Sequence, residues 1–61
     1  MVGEKIKRLR KERKLNQDEL ARLLETSQEY ISDLERGKKN PRLNTLQKIA
    51  KVLKVDVKEL L

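Results

Sequence analysis

The side chains of this sequence offer hydrogen bonding and ion pairing rather than covalent chemistry. Its 61 residues include no Cys and no His, so thiol nucleophiles, imidazole acid–base catalysis, disulfides and the usual zinc sites are excluded. A chain of this length also buries too little surface to enclose a large dry pocket. We therefore predict that the chain is not an enzyme, and we expect no catalytic residues, no metal, no cofactor and no small-molecule substrate.

The charged residues of the chain are numerous and unevenly distributed. Sixteen Lys and Arg stand against ten Asp and Glu, which gives a net charge of +6. Residues 1–14 carry seven basic and two acidic side chains, residues 15–36 carry two and six, and residues 37–61 carry seven and two. The basic flanks favour an anionic partner, such as nucleic acid or an acidic protein surface. Two alternatives stay open, in which the charged runs are solvated helix faces or reflect a thermostable composition.

Helix signals extend along the chain and predict an all-α fold. No apolar run exceeds two residues, so we expect no transmembrane segment and no signal peptide. No alternating β-branched segment favours a strand. The expected N-caps are Asn16, Ser27, Asn44 and Asp56, and capping boxes are expected with Glu19, Gln47 and Glu59. Gly37 and Pro41 mark a loop. We predict one domain over residues 1–61 with five helices at about 3–14, 17–24, 28–36, 44–54 and 57–61.

Apolar residues at helical spacing predict a small core of about a dozen side chains. Its expected members are Ile6, Leu9, Leu20, Ala21, Leu24, Ile31, Leu34, Leu43, Leu46, Ile49, Leu53 and Leu60. A domain of this size is expected to gain about 3–5 kcal/mol of net stability from such a core. On the third helix, Ile31 and Leu34 point inward. This leaves Gln28, Glu29, Ser32, Asp33 and Arg36 on the outer face.

The second and third predicted helices have the dimensions of a helix-turn-helix unit. Each spans about eight residues, and Glu25 and Thr26 connect them. Ala21 is small enough to let the two helices cross at short range. Residues 15–21 (LNQDELA) and 27–37 (SQEYISDLERG) resemble the phage repressor and Cro type family, also called the XRE family. The resemblance continues through Asn40-Pro41 to Leu60, so it covers nearly the whole chain.

This resemblance implies a compact, lambda-repressor-like bundle of five helices in a cytoplasmic protein of prokaryotic type. The implied function is sequence-specific binding of double-stranded DNA by a transcriptional regulator, of the repressor type, that acts as a homodimer on a two-fold symmetric operator. Base contacts are implied for Gln28, Glu29, Ser32 and Asp33. Phosphate contacts are implied for Gln17, Ser27, Arg36, Lys38, Lys39, Asn40 and Arg42. A buried ion pair is implied for Arg10 and Glu35. Contacts between subunits are implied for Val57, Leu60 and Leu61, with the alternative that Leu60 packs wholly within its own chain. Among the base contacts Gln28 is the strongest candidate, because its amide can pair with both N6 and N7 of adenine.

The sequence departs from the family pattern at three places. Glu25-Thr26 replaces a common Gly-Val pair, so either Glu25 adopts a left-handed backbone or the turn is rebuilt. Glu29 and Asp33 place carboxylates near the expected DNA, where they read cytosine N4 or limit indiscriminate binding. Leu23 stands where a polar residue is usual, and it is either partly buried or contacts another chain. These departures keep an alternative function open, that of a protein-interaction module, such as a coactivator or antitoxin, whose third helix does not read bases.

Overall fold

The computed structural model describes residues Met1 to Leu61 and contains four α-helices. They are α1 (Val2–Glu12), α2 (Gln17–Leu23), α3 (Gln28–Glu35) and α4 (Leu43–Leu53). No strand is present, so the predicted all-α class is confirmed. The helices begin or end within two residues of the predicted bounds, which is the usual uncertainty of a helix terminus.

The fifth predicted helix is shorter than expected. The structure has a single 3-10 turn, Val57–Glu59, in its place. Asp56 Oδ1 accepts a hydrogen bond from the Lys58 backbone N–H at 2.9 Å, so this predicted cap is present. The backbone bonds from Glu59 to Asp56 and from Leu60 to Val57 both span three residues, which is the spacing of a 3-10 turn. This turn packs on α4 and places Leu60 in the core.

The starts of α2 and α3 follow the predicted side-chain caps. Asn16 Oδ1 accepts from the Glu19 backbone N–H at 2.7 Å, and Glu19 Oε1 accepts from the Asn16 backbone N–H at 2.8 Å. These reciprocal bonds complete a capping box. Ser27 Oγ accepts from the Tyr30 backbone N–H at 3.1 Å. Because each cap contributes about 1 kcal/mol, the two caps are a substantial part of the stability of a domain this small.

The start of α4 corrects the prediction that Asn44 is its N-cap. The helix begins one residue earlier, at Leu43, and the N-cap is Arg42 in an extended conformation. The Arg42 carbonyl accepts the first helical hydrogen bond, from the Leu46 N–H, at 2.9 Å. Asn44 therefore lies within the first turn, and Gln47 is not at the capping-box position. A side-chain cap and one backbone hydrogen bond have similar free energies, about 1 kcal/mol each, so the cap signal alone does not set this boundary.

Eleven buried apolar side chains form one core between the helices and the 3-10 turn. They are Ile6, Leu9, Leu20, Ala21, Ile31, Leu34, Leu46, Ile49, Ala50, Leu53 and Leu60. Two predicted core residues are not among them. Leu24 is half-buried at the end of α2, and Leu43 is 58% exposed at the first residue of α4, although Leu46 in the same turn is buried.

Three residues with a β-carbon adopt a left-handed backbone just after a helix ends. They are Lys14 (φ 58°), Glu25 (φ 57°) and Lys54 (φ 60°). Of the two alternatives for the connection between α2 and α3, Glu25 thus tolerates the left-handed conformation. The turn keeps its backbone bonds, from Glu25 N–H to Arg22 O at 3.1 Å and from Thr26 N–H to Ala21 O at 2.9 Å. Gly37 is left-handed as expected, with φ 79°.

Replacing Glu25 with glycine is expected to stabilise the protein by up to about 1 kcal/mol. A left-handed residue with a β-carbon is strained by about 1–2 kcal/mol, and the larger entropy of glycine in the unfolded chain offsets part of the gain. We expect the midpoint of a thermal melt followed by circular dichroism to rise by about 4–8 °C per kcal/mol. The control is Lys11→Gly, inside α1, which should lower stability by about 1 kcal/mol. A destabilised Glu25→Gly variant would refute backbone strain at this position.

Candidate nucleic-acid interface

Helix α3 has one buried face and one polar face. Ile31 and Leu34 are fully buried, and they fix the rotation of the helix about its axis. The polar face carries the side chains expected from the spacing, namely exposed Gln28, Glu29 and Arg36 and half-buried Ser32 and Asp33. The first turn of α3 thus presents an amide and a carboxylate to solvent on a helix that the core holds in one orientation.

A buried ion pair joins α1 to the end of α3. Arg10 Nε donates to Glu35 Oε2 at 2.7 Å, and Arg10 Nη2 donates to Glu35 Oε1 at 3.1 Å. The third nitrogen of the guanidinium, Nη1, donates to the Leu15 carbonyl at 2.8 Å. The side chains of Arg10 and Glu35 are only 8% and 2% exposed. The pair expected from the resemblance is therefore present, in the two-pronged geometry that makes arginine–carboxylate bonds strong.

Gln17 joins the same network from α2. Its Nε2 donates to Glu35 Oε1 at 3.1 Å, so one carboxylate receives bonds from α1 and α2 while it belongs to α3. The Gln17 side chain was expected to contact a phosphate. Its amide has two N–H groups, and the bond to Glu35 uses one of them. This second role could not be predicted from the sequence, because nothing in the local pattern around Gln17 points to Glu35.

Gly3 allows α1 to lie against the end of α3. A β-carbon at this position would lie 2.8 Å from the Glu35 carbonyl oxygen and closer still to that of Leu34. Atoms of a folded protein do not approach so closely without a shift of the backbone, so a residue without a side chain is needed here. The close approach brings Arg10 within reach of Glu35 and thereby helps to position α3.

The loop after α3 presents a group of exposed polar and basic side chains, Lys38, Lys39, Asn40 and Arg42. Gly37 reverses the chain, and the Asp33 carbonyl accepts the backbone N–H of Lys38 at 2.9 Å and that of Lys39 at 3.4 Å. These bonds fasten the loop to α3. The expected phosphate contacts of the loop thus lie next to the expected base contacts of the helix.

The side chain of Lys39 lies near two residues of α3, Asp33 and Tyr30. Neither contact was predicted from the sequence, and Tyr30 was not among the expected site residues. Lys39 Nζ lies 4.0 Å from Asp33 Oδ2 and 5.8 Å from the centre of the Tyr30 ring. The distance to the ring is within the range of a cation–π interaction. Tyr30 is the only aromatic residue of the chain, and its place beside the candidate helix was the signal available in the sequence.

The three residues expected to contact a second subunit differ in exposure. Leu61 is 60% exposed, and Val57 is half-buried. Leu60 has no exposed surface, so its assignment as a subunit contact is wrong. Its side chain instead fills the core of its own chain, because the 3-10 turn directs it toward the other helices.

The structure contains neither a cluster of metal ligands nor a membrane-spanning helix. No group of three or more His, Cys, Asp or Glu side chains is arranged to hold a metal ion. None of the helices is long and apolar enough to cross a membrane.

Comparison with known proteins shows that the chain is similar to transcriptional regulators. The helix-turn-helix family model matches residues 6–60. The immunity repressor protein of Bacillus phage phi105 is 46% identical over 56 residues, which cover 92% of this chain and 39% of that protein. An uncharacterized helix-turn-helix transcriptional regulator of Sinorhizobium fredii, y4dJ, is 43% identical over 60 residues, which cover 98% of this chain and 78% of that protein. The chain thus spans well under half of the phage repressor and most of the second relative.

Two solved structures have the same fold. SinR, the master regulator for biofilm formation, crystallised in complex with DNA, matches with a TM-score of 0.91 and 38% identity over 98% of this chain and 97% of that chain. The restriction-modification controller protein C.AhdI from Aeromonas hydrophila matches with a TM-score of 0.92 and 32% identity over 98% and 91%. The family match, the sequence identities and the shared fold agree, and the chain belongs to the helix-turn-helix family of the phage repressor and Cro type.

Proposed function

We propose that this chain binds double-stranded DNA in a sequence-specific manner and regulates transcription. The observation that carries the proposal is the outer face of α3, where Gln28 and Glu29 are exposed on a helix held by buried Ile31 and Leu34. The similarity to SinR, whose crystal structure contains DNA, supports the same use of the fold. Since the chain has no Cys or His nucleophile or base, the proposal includes no catalysis.

The dimensions of α3 suit the major groove of DNA. An α-helix with its side chains is about 10–12 Å across, and the groove is about 12 Å wide, so the eight residues of α3 can lie in it. In the groove, the Gln28 amide pairs with adenine, and the Glu29 carboxylate accepts from the N4 amino group of cytosine. Ser32 and Asp33 lie one turn further along and contact the following base pairs.

Phosphate contacts come from both ends of this surface. Lys38, Lys39 and Arg42 supply three positive charges in the loop, and Asn40 adds an amide. Ser27 and Arg36 flank α3, and Gln17 keeps one N–H for a phosphate oxygen while the other bonds to Glu35. These contacts position the protein and add affinity without selecting a sequence.

We further propose that two copies bind an operator with two-fold symmetry. Exposed Leu61 and half-buried Val57 are the side chains available for the contact between copies. A two-fold interface places the same patch of each subunit against the other, so it orders two α3 helices about one helical turn of DNA apart.

Selection of bound duplexes from a random pool tests this function. We expect an enriched site with two symmetric halves whose centres are about 10 base pairs apart. Gln28→Ala should weaken binding to the enriched site by about 1–3 kcal/mol and relax the preference at one base pair in each half. Fluorescence anisotropy with the enriched duplex and its single-position variants measures both effects.

The matched control is Gln47→Ala, which removes an exposed amide from α4. This variant should bind the enriched duplex as the parent protein does. A pool without enrichment, or equal losses for Gln28→Ala and Gln47→Ala, would contradict base recognition by α3. The exposed carboxylate of Glu29 would then favour the alternative function of a protein-interaction module.

A further inference from the structure

A shallow cleft of about 230 Å³ lies away from the proposed DNA surface. Leu15, Leu23 and Val52 provide its apolar lining, and Arg13 and Lys54 lie at its rim. The cleft is formed by the turn between α1 and α2, the end of α2 and the end of α4. It shares no residue with the set proposed to contact bases and phosphates.

The apolar lining of this cleft is available to a partner. Leu23 is 56% exposed, although Leu20 and Ala21 in the same helix are fully buried. Leu15 and Val52 are half-buried and also border the core. A single exposed leucine is ordinary in a soluble protein, but here three apolar side chains converge in a concavity.

The rim of the cleft is basic, and its positive charges have no acidic partner. Arg13 Nε donates to the Leu53 carbonyl at 2.7 Å and Nη2 to the Lys54 carbonyl at 3.2 Å, so the guanidinium is held in place while its charge stays unpaired. Lys54, which follows the end of α4, and Lys51, in the last turn of that helix, are exposed. None of the three forms a salt bridge.

Two carboxylates of α2 that precede Leu23 are already engaged. Glu19 lies one turn before Leu23 on α2, and its Oε1 accepts from the Asn16 backbone N–H at 2.8 Å in the capping box. Asp18 pairs with Arg22 at 3.0 Å. Because no salt bridge of the structure involves the cations at the rim, their charge is available to a carboxylate from outside the chain.

We infer that this cleft is a docking site for an acidic amphipathic segment of another protein. A leucine or isoleucine side chain of the segment enters between Leu23 and Val52. Carboxylates beside that side chain pair with Arg13, Lys51 and Lys54. The two kinds of contact reinforce each other, because an apolar side chain excludes water from the neighbouring ion pairs.

Two other occupants fit the cleft less well. A second copy across a two-fold axis would bring the same basic patch of each subunit together, and the like charges of Arg13 and Lys54 would repel. DNA phosphates could pair with the cations at the rim, but the apolar side chains of Leu15, Leu23 and Val52 cannot form hydrogen bonds or ion pairs with a phosphate. The cleft shares no lining residue with the proposed DNA surface, so the inference does not depend on the proposed function.

The inference is tested with a synthetic twelve-residue peptide in which leucines spaced three and four residues apart alternate with glutamates. Amide chemical shifts of the labelled protein are followed during titration with this peptide. We expect the largest shifts at Leu15, Leu23 and Val52. Leu23→Ser should weaken binding about tenfold, as should Lys51→Gln combined with Lys54→Gln. Arg13 is left unchanged because its hydrogen bonds also hold the end of α4.

Matched controls distinguish binding at this cleft from non-specific hydrophobic or electrostatic binding elsewhere on the surface. Leu43→Ser removes a leucine of similar exposure, 58% against 56%, and Lys38→Gln with Arg42→Gln removes two other cations. Both controls should bind the peptide as the parent protein does, and peptides with lysine for glutamate or serine for leucine should not bind. Equal losses in the control variants would overturn the inference. So would shifts at the cleft on dilution of the protein alone or on addition of duplex DNA, which would identify a second copy or nucleic acid as the occupant.

Discussion

Replacing Glu35 with alanine is expected to destabilise the protein by about 3–5 kcal/mol and to leave much of it unfolded at 25 °C. The change removes the carboxylate that accepts two hydrogen bonds from the Arg10 guanidinium. The Arg10 side chain is only 8% exposed, so its charge stays buried without a partner. A buried charge without a partner carries its full desolvation cost. Gln17 Nε2 loses the same acceptor, so the variant disturbs α1, α2 and α3 together.

Unfolding in urea, followed by circular dichroism, measures this loss. The control is Glu12→Ala, because Glu12 lies 3.6 Å from Arg8 in a surface pair in which each side chain is 58% exposed. Surface pairs of this kind contribute about 0–1 kcal/mol, so the control should change stability little. Similar losses for Glu35→Ala and Glu12→Ala would show that burial of the pair has no energetic consequence.

Replacing both charges should recover much of the loss. An Arg10→Met, Glu35→Leu variant leaves no buried charge, and apolar replacement of a buried pair is often neutral or stabilising. We therefore expect the double variant to be more stable than Glu35→Ala alone. A double variant that unfolds as readily as Glu35→Ala would indicate that the hydrogen bonds to Leu15 and Gln17, rather than the stranded charge, are decisive.

Removal of the three loop cations is expected to lower affinity for DNA by about 10²- to 10³-fold at 0.1 M salt. Each phosphate contact changes the slope of log affinity against log salt by about 0.9, which corresponds to about one power of ten between 0.1 M and 1 M salt. The variant Lys38→Gln, Lys39→Gln, Arg42→Gln should therefore reduce that slope by about 3. The loss should be the same for the selected site and for random duplexes, because phosphates carry no sequence information.

Two further variants test the location of this effect. Lys11→Gln, Lys51→Gln, Lys54→Gln removes the same charge from exposed positions outside the loop, and it should change the slope much less. Asp33→Asn should increase the slope of log affinity against log salt. The change removes the carboxylate that lies 4.0 Å from Lys39 Nζ and repels phosphates. Anisotropy titrations from 50 to 400 mM salt distinguish the three variants. Equal slopes for both triple variants would contradict phosphate binding by the loop.

The features that could be predicted from the sequence are those that short-range interactions control. The capping box at Asn16 and the side-chain cap at Ser27 involve residues within three positions of each other, and the structure contains both. The inward position of Ile31 and Leu34 follows from helical spacing alone. The partnership of Arg10 with Glu35, 25 residues away, came from the resemblance to a known family and not from any local pattern.

Other features depend on which elements lie opposite one another, and no local pattern reports that. Leu43 and Leu24 have the spacing of core residues, but burial requires a neighbour on the side where the side chain lies, and Leu43 is 58% exposed while Leu24 is half-buried. The bond from Gln17 to Glu35 and the place of Lys39 beside Tyr30 likewise join residues that only packing brings together. Helix formation thus depends on contacts between residues three or four positions apart in the sequence, whereas the site is assembled by long-range packing of the helices that carry it.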